Sequence, residues 1–431
     1  MLQVPHLETA LTGPLQHLEK KFLAAQVAIE SWFRHQWQLT PPVFYGSVDL
    51  RNAGFKLAPV DTNLFPAGFN NLNPEMMALC VQAVQATMAE KCPSATRLLL
   101  IPESHTRNLF YFENLATLLE ILERAGFDVR MASLIPDLME PLKQLLPSGR
   151  EITLAPLIRE NNRVGIKDYF PCCIILNNDF SAGIPDILKN IKQLLMPALA
   201  LGWSTRLKSD HFRLYHTVCD EFSKTIDLDP WLINPYFDHC DEVDFSVQAG
   251  HEWLAKRAEI LFDKIRKKYA EYKIDQPPFV VVKADQGTYG MAVMMIKNSN
   301  ELLQLNRKQR TKMGSLKGGS AVTKILMQEG VYTFETVGVD HAVAEPVVYH
   351  IGRHVVGGFY RIHKNRGNDE NLNAPGMDFQ PLAFAKNCHL PPCGKNDIDK
   401  PDHVNRFYAY GVVGRLAMVA AAREVCVGVL L

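Results

Sequence analysis

The residues best equipped for chemistry cluster in one stretch, Phe279 to Lys297, FVVVKADQGTYGMAVMMIK. An apolar, β-branched run ends in Lys283. A short polar loop from Ala284 to Gly290 carries Gly287 and Gly290, and a second apolar run starts at Met291. Glycine tolerates backbone angles that other residues avoid, so such a loop lets main-chain N–H groups close on an anion. A lysine at its mouth adds a point charge suited to phosphate. The combination reads as a phosphate clamp on a β-hairpin. An ordinary hairpin with a solvated lysine gives the same pattern, because short glycine motifs have many chance matches. No GxxxxGK[ST] occurs, and a strand rather than a helix follows, so the stretch is neither a P-loop nor a Rossmann fingerprint.

A second set lies in residues 43–72. Strand alternation puts Asp61 and Asn63 of VDTN on one face. A carboxylate with an amide oxygen two residues on is a set of hard donors for a divalent cation. Arg51, just upstream, offers a fork for carboxylate or phosphate. The competing reading is a turn in which Asp61 and Asn63 bond only to backbone. Two weaker candidates remain. Asn177, Asn178 and Asp179 end an apolar strand, where ligands sit in open α/β sheets, though a capping turn has the same composition. Residues 201–213 pack Trp203, Arg206, Lys208, His211 and Arg213 into a short span. That is either an anion-binding patch or a loop and first helical turn with its charges in water.

These residues need elements to hold them. Residues 6–39 carry apolar side chains at spacings of three and four, which predicts a helix. RLLLIP, the 108–125 helix and FDVRMASL form a βαβ-like pattern, PCCIILNND is a third strand, and residues 184–196 read as the next helix. Residues 249–273 are helical and close with basic residues, as a helix C-terminus prefers. Asp275-Gln276-Pro277-Pro278 is a linker, which places a boundary near residue 276. A short helix and a basic segment follow over 298–320. Ile325 to Val331 is an apolar strand running into polar residues, and 343–363 forms two strands joined at Gly352-Arg353, with Glu345 on the first and Arg361 on the second. A polar loop covers 368–376, and a last helix covers 405–424.

The chain has 431 residues, 47% of them hydrophobic and 21% charged, and its formal net charge is zero. That suits a globular protein with a large core and argues against a nucleic-acid or polyanion surface as its main business. The nine cysteines are irregularly spaced, which favours free thiols in a reducing cytoplasm. Cys388-His389 with Cys393 has no second ligand pair nearby to complete a zinc site. The N-terminus lacks a signal pattern, and no apolar run is long enough to span a bilayer.

The order of strand, lysine, glycine loop, strand, QEGV hinge and a hairpin with Glu and Arg resembles the ATP-grasp domain. VDTNLFPAGFNNL, VVVKADQGTYGMAV, LGWSTRLKSDHF and AEPVVYHIGRHVVGGFYRIHK resemble stretches of the proteobacterial glutamate–cysteine ligase family, over roughly residues 5–425. The arrangement is also similar to the circularly permuted ATP-grasp of eukaryotic glutathione synthetase. The resemblance implies an α/β fold with α+β elements in four regions. Residues 1–96 hold the N-terminal helix and metal strand, 97–275 a substrate-binding region, 276–400 the nucleotide-binding region and 401–431 a terminal helix. It implies Asp61, Asn63 and Asp285 as metal ligands, and Lys283 with Gly287 and Gly290 on the nucleotide phosphates. Gln328, Glu329 and Val331 would form the adenine hinge, with Glu345 near ribose or metal. Lys283, Arg361 and Arg51 would be the catalytic cations. The loop holds two glycines rather than a glycine run, and Asp61 stands where the relatives have Glu, with a shorter reach.

The implied reaction joins the γ-carboxylate of L-glutamate to the amine of L-cysteine with ATP and Mg²⁺, Mn²⁺ being an alternative. It passes through γ-glutamyl phosphate in the cytoplasm and is the first step of glutathione biosynthesis. A homo-oligomer is compatible with the sequence; nucleic-acid or membrane partners are not expected. Another ATP-grasp carboxylate–amine ligase, such as a glutathione synthetase-like enzyme, or a non-catalytic ATP-binding protein are the alternatives.

Overall fold

The computed structural model describes residues 7–8, 14–104, 108–245, 250–287, 292–314, 321–338, 340–382 and 406–428. Within it Tyr45–Asn52 and Leu57–Asn63 form an antiparallel pair, joined by a loop in which Gly54 takes a φ of +72° that favours glycine. The pair is not an isolated hairpin. Tyr45–Asn52 also lies antiparallel to Ala342–Ile351, so segments far apart in the chain share one seven-stranded sheet. Ala342–Ile351 has His354–His363 along one edge. Its other edge is divided: Glu335–Val337 pairs with Ala342 to Ala344, and Tyr45–Asn52 with Val347 to Ile351. Glu345 and Pro346 fall in the seam between them. Proline has no N–H for a ladder, so a gap in pairing suits it.

A six-stranded sheet is parallel through Leu194–Met196, Cys173–Asn177, Arg97–Pro102, Asp128–Ser133 and Glu151–Pro156, with Leu142–Leu145 antiparallel at its edge. Leu109–Arg124 is the crossover helix of the βαβ unit expected from the sequence, started by Asn108, whose side chain accepts from Tyr111 N–H. A four-stranded antiparallel sheet holds Phe237–Cys240, Ile325–Glu329, Val280–Ala284 and Val293–Ile296 in that order. This mixture of helices and sheets is the expected α/β class. Sheet membership crosses the residue ranges read from the sequence, because strands 45–63 and 335–381 belong to one sheet.

Arg406–Gly428 runs through the middle of the largest core. Val412, Val413 and the run Leu416 to Ala422 are fully buried. A helix apolar on all sides has no solvent face and must be enclosed. It packs on the helix Lys208–Ile226 and on the strands Tyr45–Asn52, Leu57–Asn63 and Ala342–Ile351. It therefore backs the strands that present Asp49, Arg51, Asp61 and Glu345.

Three expectations are corrected. Residues 6–39 are not one helix: Leu7–Glu8 is a strand on Glu335–Val337, and helices cover Pro14–Ala24 and Gln26–Leu39. Pro14 lacks an N–H and sits naturally at a helix start. Residues 184–196 form a 3₁₀ turn, Asp186–Leu188, and the edge strand Leu194–Met196. Asn190 in the left-handed region (φ +56°) breaks the helical path, and pairing with Cys173–Asn177 overrides the local spacing. Of the five residues named in 201–213 only Arg213 keeps its charge in water, paired with Asp210, whereas Trp203, Arg206, Lys208 and His211 are all buried. The Cys388–Cys393 segment lies outside the described residues. The seven described cysteines are free thiols. Among the described residues no helix is long and apolar enough to cross a membrane.

Truncating Leu416 to alanine leaves a void among the Arg406–Gly428 helix and its neighbours. Leu416→Ala is expected to lower unfolding stability by about 2–5 kcal/mol, read as a shift of the urea midpoint with unchanged slope.

Candidate active site

A cleft opens between the four-stranded sheet and the seam of the seven-stranded sheet. On one wall, Val281, Lys283, Val293, Met295 and Gln328 share a face of the four-stranded sheet, because Val281 pairs with Met295 and Gln328, and Lys283 with Val293. On the other wall stand Asp49 and Arg51, Asp61, Glu345 and Arg361. Asn371 and Asn373, from the 368–376 loop, line it as well.

Lys283 is buried. Its ammonium donates to Val60 C=O at 2.7 Å and to Gln328 Oε1 at 2.9 Å, both neutral oxygens. Burial pushes its pKa down to about 8, against the attraction of Asp61. Opposite, Arg361 Nη1 bridges Asp49 Oδ2 at 2.9 Å and Glu345 Oε1 at 2.6 Å, while Arg51 Nε donates to Glu345 Oε2 at 3.0 Å. Arg51 also donates to the carbonyls of Val331, at 3.2 Å, and Glu370. Burial pushes Glu345 upward, but Arg51 and Arg361 outweigh it and hold the carboxyl below its usual range. Burial raises Asp49, and Glu345 and Asp61 add to this against the pull of Arg361.

Asp61 faces Asp49 across the Tyr45–Asn52/Leu57–Asn63 pair. Like charges directly opposite on a sheet destabilise it unless cations intervene. Lys208 Nζ supplies one, at 2.9 and 3.2 Å from the two Asp61 oxygens. Burial disfavours the Asp61 charge, yet Lys208 and Lys283 more than offset it and hold the pKa far below the ordinary value. Behind Asp61, Arg206 grips Glu424 through two hydrogen bonds, at 2.7 and 3.0 Å, and donates to Thr62 C=O at 2.6 Å. His211 Nδ1 meets the same carboxylate. These buried charges fix the strand to the Arg406–Gly428 helix.

The cleft gathers most of the residues expected from the sequence: Arg51, Asp61, Lys283, Gln328, Glu329, Val331, Glu345 and Arg361. It does not set all three expected metal ligands on one wall. Asn63 Oδ1 accepts from Phe65 N–H at 2.9 Å and shapes the turn that follows. Both Asp285 oxygens are taken by Ser209, one by N–H at 2.7 Å and one by the hydroxyl at 2.6 Å. Asp285 thus caps the helix Lys208–Ile226 from a neighbouring loop, a placement the helix dipole favours. Among the described residues no three His, Cys, Asp or Glu side chains converge as a metal cage. A Mg²⁺-type cation needs fewer: one or two carboxylates plus substrate phosphates. Asp61, held ionised with its side chain 39% exposed and with Asp49 opposite, fits that requirement.

The hinge residues divide. Glu329 sends its carboxylate away to buried Lys56 at 2.7 Å and to Trp231 Nε1 at 3.1 Å. Its N–H bonds Tyr236 C=O, and Gly330 N–H bonds Phe279 C=O. Gln328 remains turned to the cleft, and its Nε2 is buried with no partner, as is Arg361 Nε. Two unsatisfied donors in one cleft are costly unless a ligand accepts from them. Gly287 has a φ of +94°, and Gly290 lies outside the described residues. Asn177 is a structural tie, donating to Tyr45 Oη and Pro66 C=O, and the Asp179 carboxylate accepts from Ser181 N–H. Asn178 bonds Pro102 C=O and Phe180 N–H. Asp49 was not anticipated, although the Asp-x-Arg alternation with Arg51 mirrors Asp61-x-Asn63 on the paired strand.

The sequence matches the family described as glutamate-cysteine ligase (GshA) over residues 19–425. A crystal structure from Methylobacillus flagellatus KT, provisionally assigned as a gamma-glutamylcysteine synthetase, is 54% identical with a TM-score of 0.90, covering 99% of each chain. Two further similarities are remote. A glutathione synthetase-like effector from Globodera pallida is 10% identical with a TM-score of 0.36, covering 85% of this chain and 80% of its own. D-alanyl-alanine synthetase A from Vibrio cholerae is 10% identical with a TM-score of 0.35, covering 75% and 81%. At that distance neither bears on the fold or the reaction. No curated protein matches the sequence.

Lys283 carries its charge below about pH 8 and loses it above. Affinity for ADP, measured by titration calorimetry, is expected to fall between about pH 7 and about pH 9. Lys283→Arg stays cationic throughout and should flatten that fall.

Proposed function

The chain belongs to the glutamate–cysteine ligase family, and we propose that its reaction runs in the cleft between the four-stranded sheet and the seam of the seven-stranded sheet. The enzyme joins the γ-carboxylate of L-glutamate to the amine of L-cysteine with ATP and a divalent metal, the first step of glutathione biosynthesis. A carboxylate is a poor acyl donor because oxide is a poor leaving group. Phosphoryl transfer from ATP gives γ-glutamyl phosphate, from which phosphate leaves as the cysteine amine attacks. Such transfer needs mainly positioning and charge neutralisation.

The observation that carries this placement is a set of donors in the cleft that awaits an acceptor. Lys283 has only neutral hydrogen-bond acceptors, and Gln328 Nε2 and Arg361 Nε have none. In our reading Lys283 binds nucleotide phosphates beside the loop that begins at Gly287. Val281, Val293 and Met295 give the base an apolar wall beside Gln328 and the Glu329–Val331 hinge. Arg361, oriented by Asp49 and Glu345, faces the carboxylate that is phosphorylated, and Arg51 locks Glu345 in place. Asp61, with Asp49 beside it, would hold a divalent cation, Mg²⁺ or Mn²⁺, which would supply positive charge against the nucleotide phosphates. Asn63 and Asp285 support this site through the turn and the helix cap. The walls together make an ATP-grasp-like arrangement. The seven free thiols suit a reducing, cytoplasmic setting.

Phosphate release from Mg-ATP, measured with amino acids added singly and in pairs, tests the substrates. Release requiring glutamate and rising with cysteine, with γ-glutamylcysteine seen by mass, is the expected result; release with a different pair only would replace the substrates. Lys283→Met should lower kcat by about a hundredfold or more with an unchanged circular-dichroism spectrum. Wild-type turnover in that variant would remove Lys283 from the site.

A further inference from the structure

Lys208 opens the helix Lys208–Ile226, and its side chain is only 7% exposed. Physical chemistry disfavours a lysine there on three counts. A helix N-terminus carries partial positive charge and favours anions. A buried ammonium loses hydration that is hard to replace. Lys283 stands close enough for the two like charges to repel. Against these, Lys208 has the face of Trp203, 3.7 Å from its ammonium, and the Asp61 carboxylate, whose two oxygens it straddles at 2.9 and 3.2 Å. The ammonium thus covers the carboxylate edge that a cation on Asp61 would need. The neighbouring acids differ in kind. Asp49 is held by Arg361, and Glu345 by Arg361 and Arg51, through planar guanidinium groups with fixed N–H directions. Asp61 alone among the three is held by an ammonium on a flexible four-carbon stem.

We infer that Lys208 is a resident counter-ion that occupies the divalent-cation position on Asp61 and yields it when the cation binds. The inference rests on the placement of that cation at Asp61 proposed above. While Lys208 is in place it competes with the cation, so affinity for the cation alone is lowered. Once displaced, its ammonium becomes a further positive charge for bound phosphate. Cation and nucleotide therefore strengthen one another's binding, and the coupling is reciprocal. A local rule broken at a helix start, without gain to the helix, is where function is to be sought.

The test measures binding of Mn²⁺ alone to the full chain by electron paramagnetic resonance, with and without ADP. Wild type is compared with Lys208→Met, Lys208→Gln and Asp61→Asn. Removing the competing ammonium should tighten Mn²⁺ binding without ADP by about tenfold, the value of one charge-assisted hydrogen bond. It should also shrink the enhancement that ADP gives wild type. Asp61→Asn should bind no Mn²⁺ at this site. A merely structural Lys208 would leave the affinity unchanged or weaken it. The Gln variant, polar and close in length, keeps the test alive if the Met variant fails to fold. Wild-type or weaker affinity in the folded Lys208 variants, with binding lost in Asp61→Asn, would overturn the counter-ion role and leave the cation placement standing. Wild-type affinity in Asp61→Asn would overturn the cation placement itself, and the counter-ion role with it.

Discussion

The arrangement depends on one part-buried contact, the guanidinium of Arg361 held between Asp49 and Glu345. Three strands meet there: Asp49 on Tyr45–Asn52, Glu345 on Ala342–Ile351 and Arg361 on His354–His363. Two of the three pairings are fixed by sheet register. Glu345 lies directly opposite Arg361, and Asp49 opposite Val347, two residues further along. A slip by one residue would turn every side chain to the other face. The charges could then neither meet one another nor be reached from the cleft. Removing Arg361 would leave Asp49 without its cation and Glu345 with Arg51 alone, which costs far more than the contact contributes when whole. The contact therefore fixes where the strands sit, and the strands fix where a ligand can bind.

From this core the support spreads outward through groups that touch no substrate in our reading. Arg51 carries the network to the carbonyls of Val331 and Glu370, so the hinge and the 368–376 loop are tied to the same acid. Asp285 anchors the start of the helix Lys208–Ile226, and Arg206 with Glu424 joins the strand Leu57–Asn63 to the central helix. Lys56 and Glu329 form a second buried pair beneath Trp231, behind the hinge. Charged groups at this depth are tolerated only with partners, and here the partners come from distant parts of the chain.

Much of this was legible in the sequence, and the limits have physical causes. The hairpin that carries Lys283 and the pair of strands that carries Glu345 and Arg361 were readable because β-branched alternation is a local signal. Asp61 and Arg51 were readable because strand periodicity assigns them a face. What failed was whatever depends on who the neighbour is. Leu194–Met196 is a strand only because Cys173–Asn177 offers it an edge. Asp285 looks like a ligand in KADQG and is a helix cap because Ser209 lies beside it in space. Lys208 and Arg206 look like surface charges until Asp61 and Glu424, which are remote in sequence, enclose them. Asp49 was missed because a single acid in a strand has no signature; its importance comes from Arg361, placed opposite by a ladder.

The sheet that joins the two ends of the chain also has a temporal side. Arg51 and its partner Glu345 are 294 residues apart, and the Tyr45–Asn52 strand has its long-range neighbour only in Ala342–Ile351. At synthesis rates of about 5–20 residues per second, the early strands wait roughly 15–60 s on the ribosome for that neighbour to emerge. For that interval one edge of the β-pair lacks its partner and its apolar backing helix has not been made. Exposed strand edges of this kind invite pairing with other chains. The same topology that assembles the cleft keeps that edge open until most of the chain has been made.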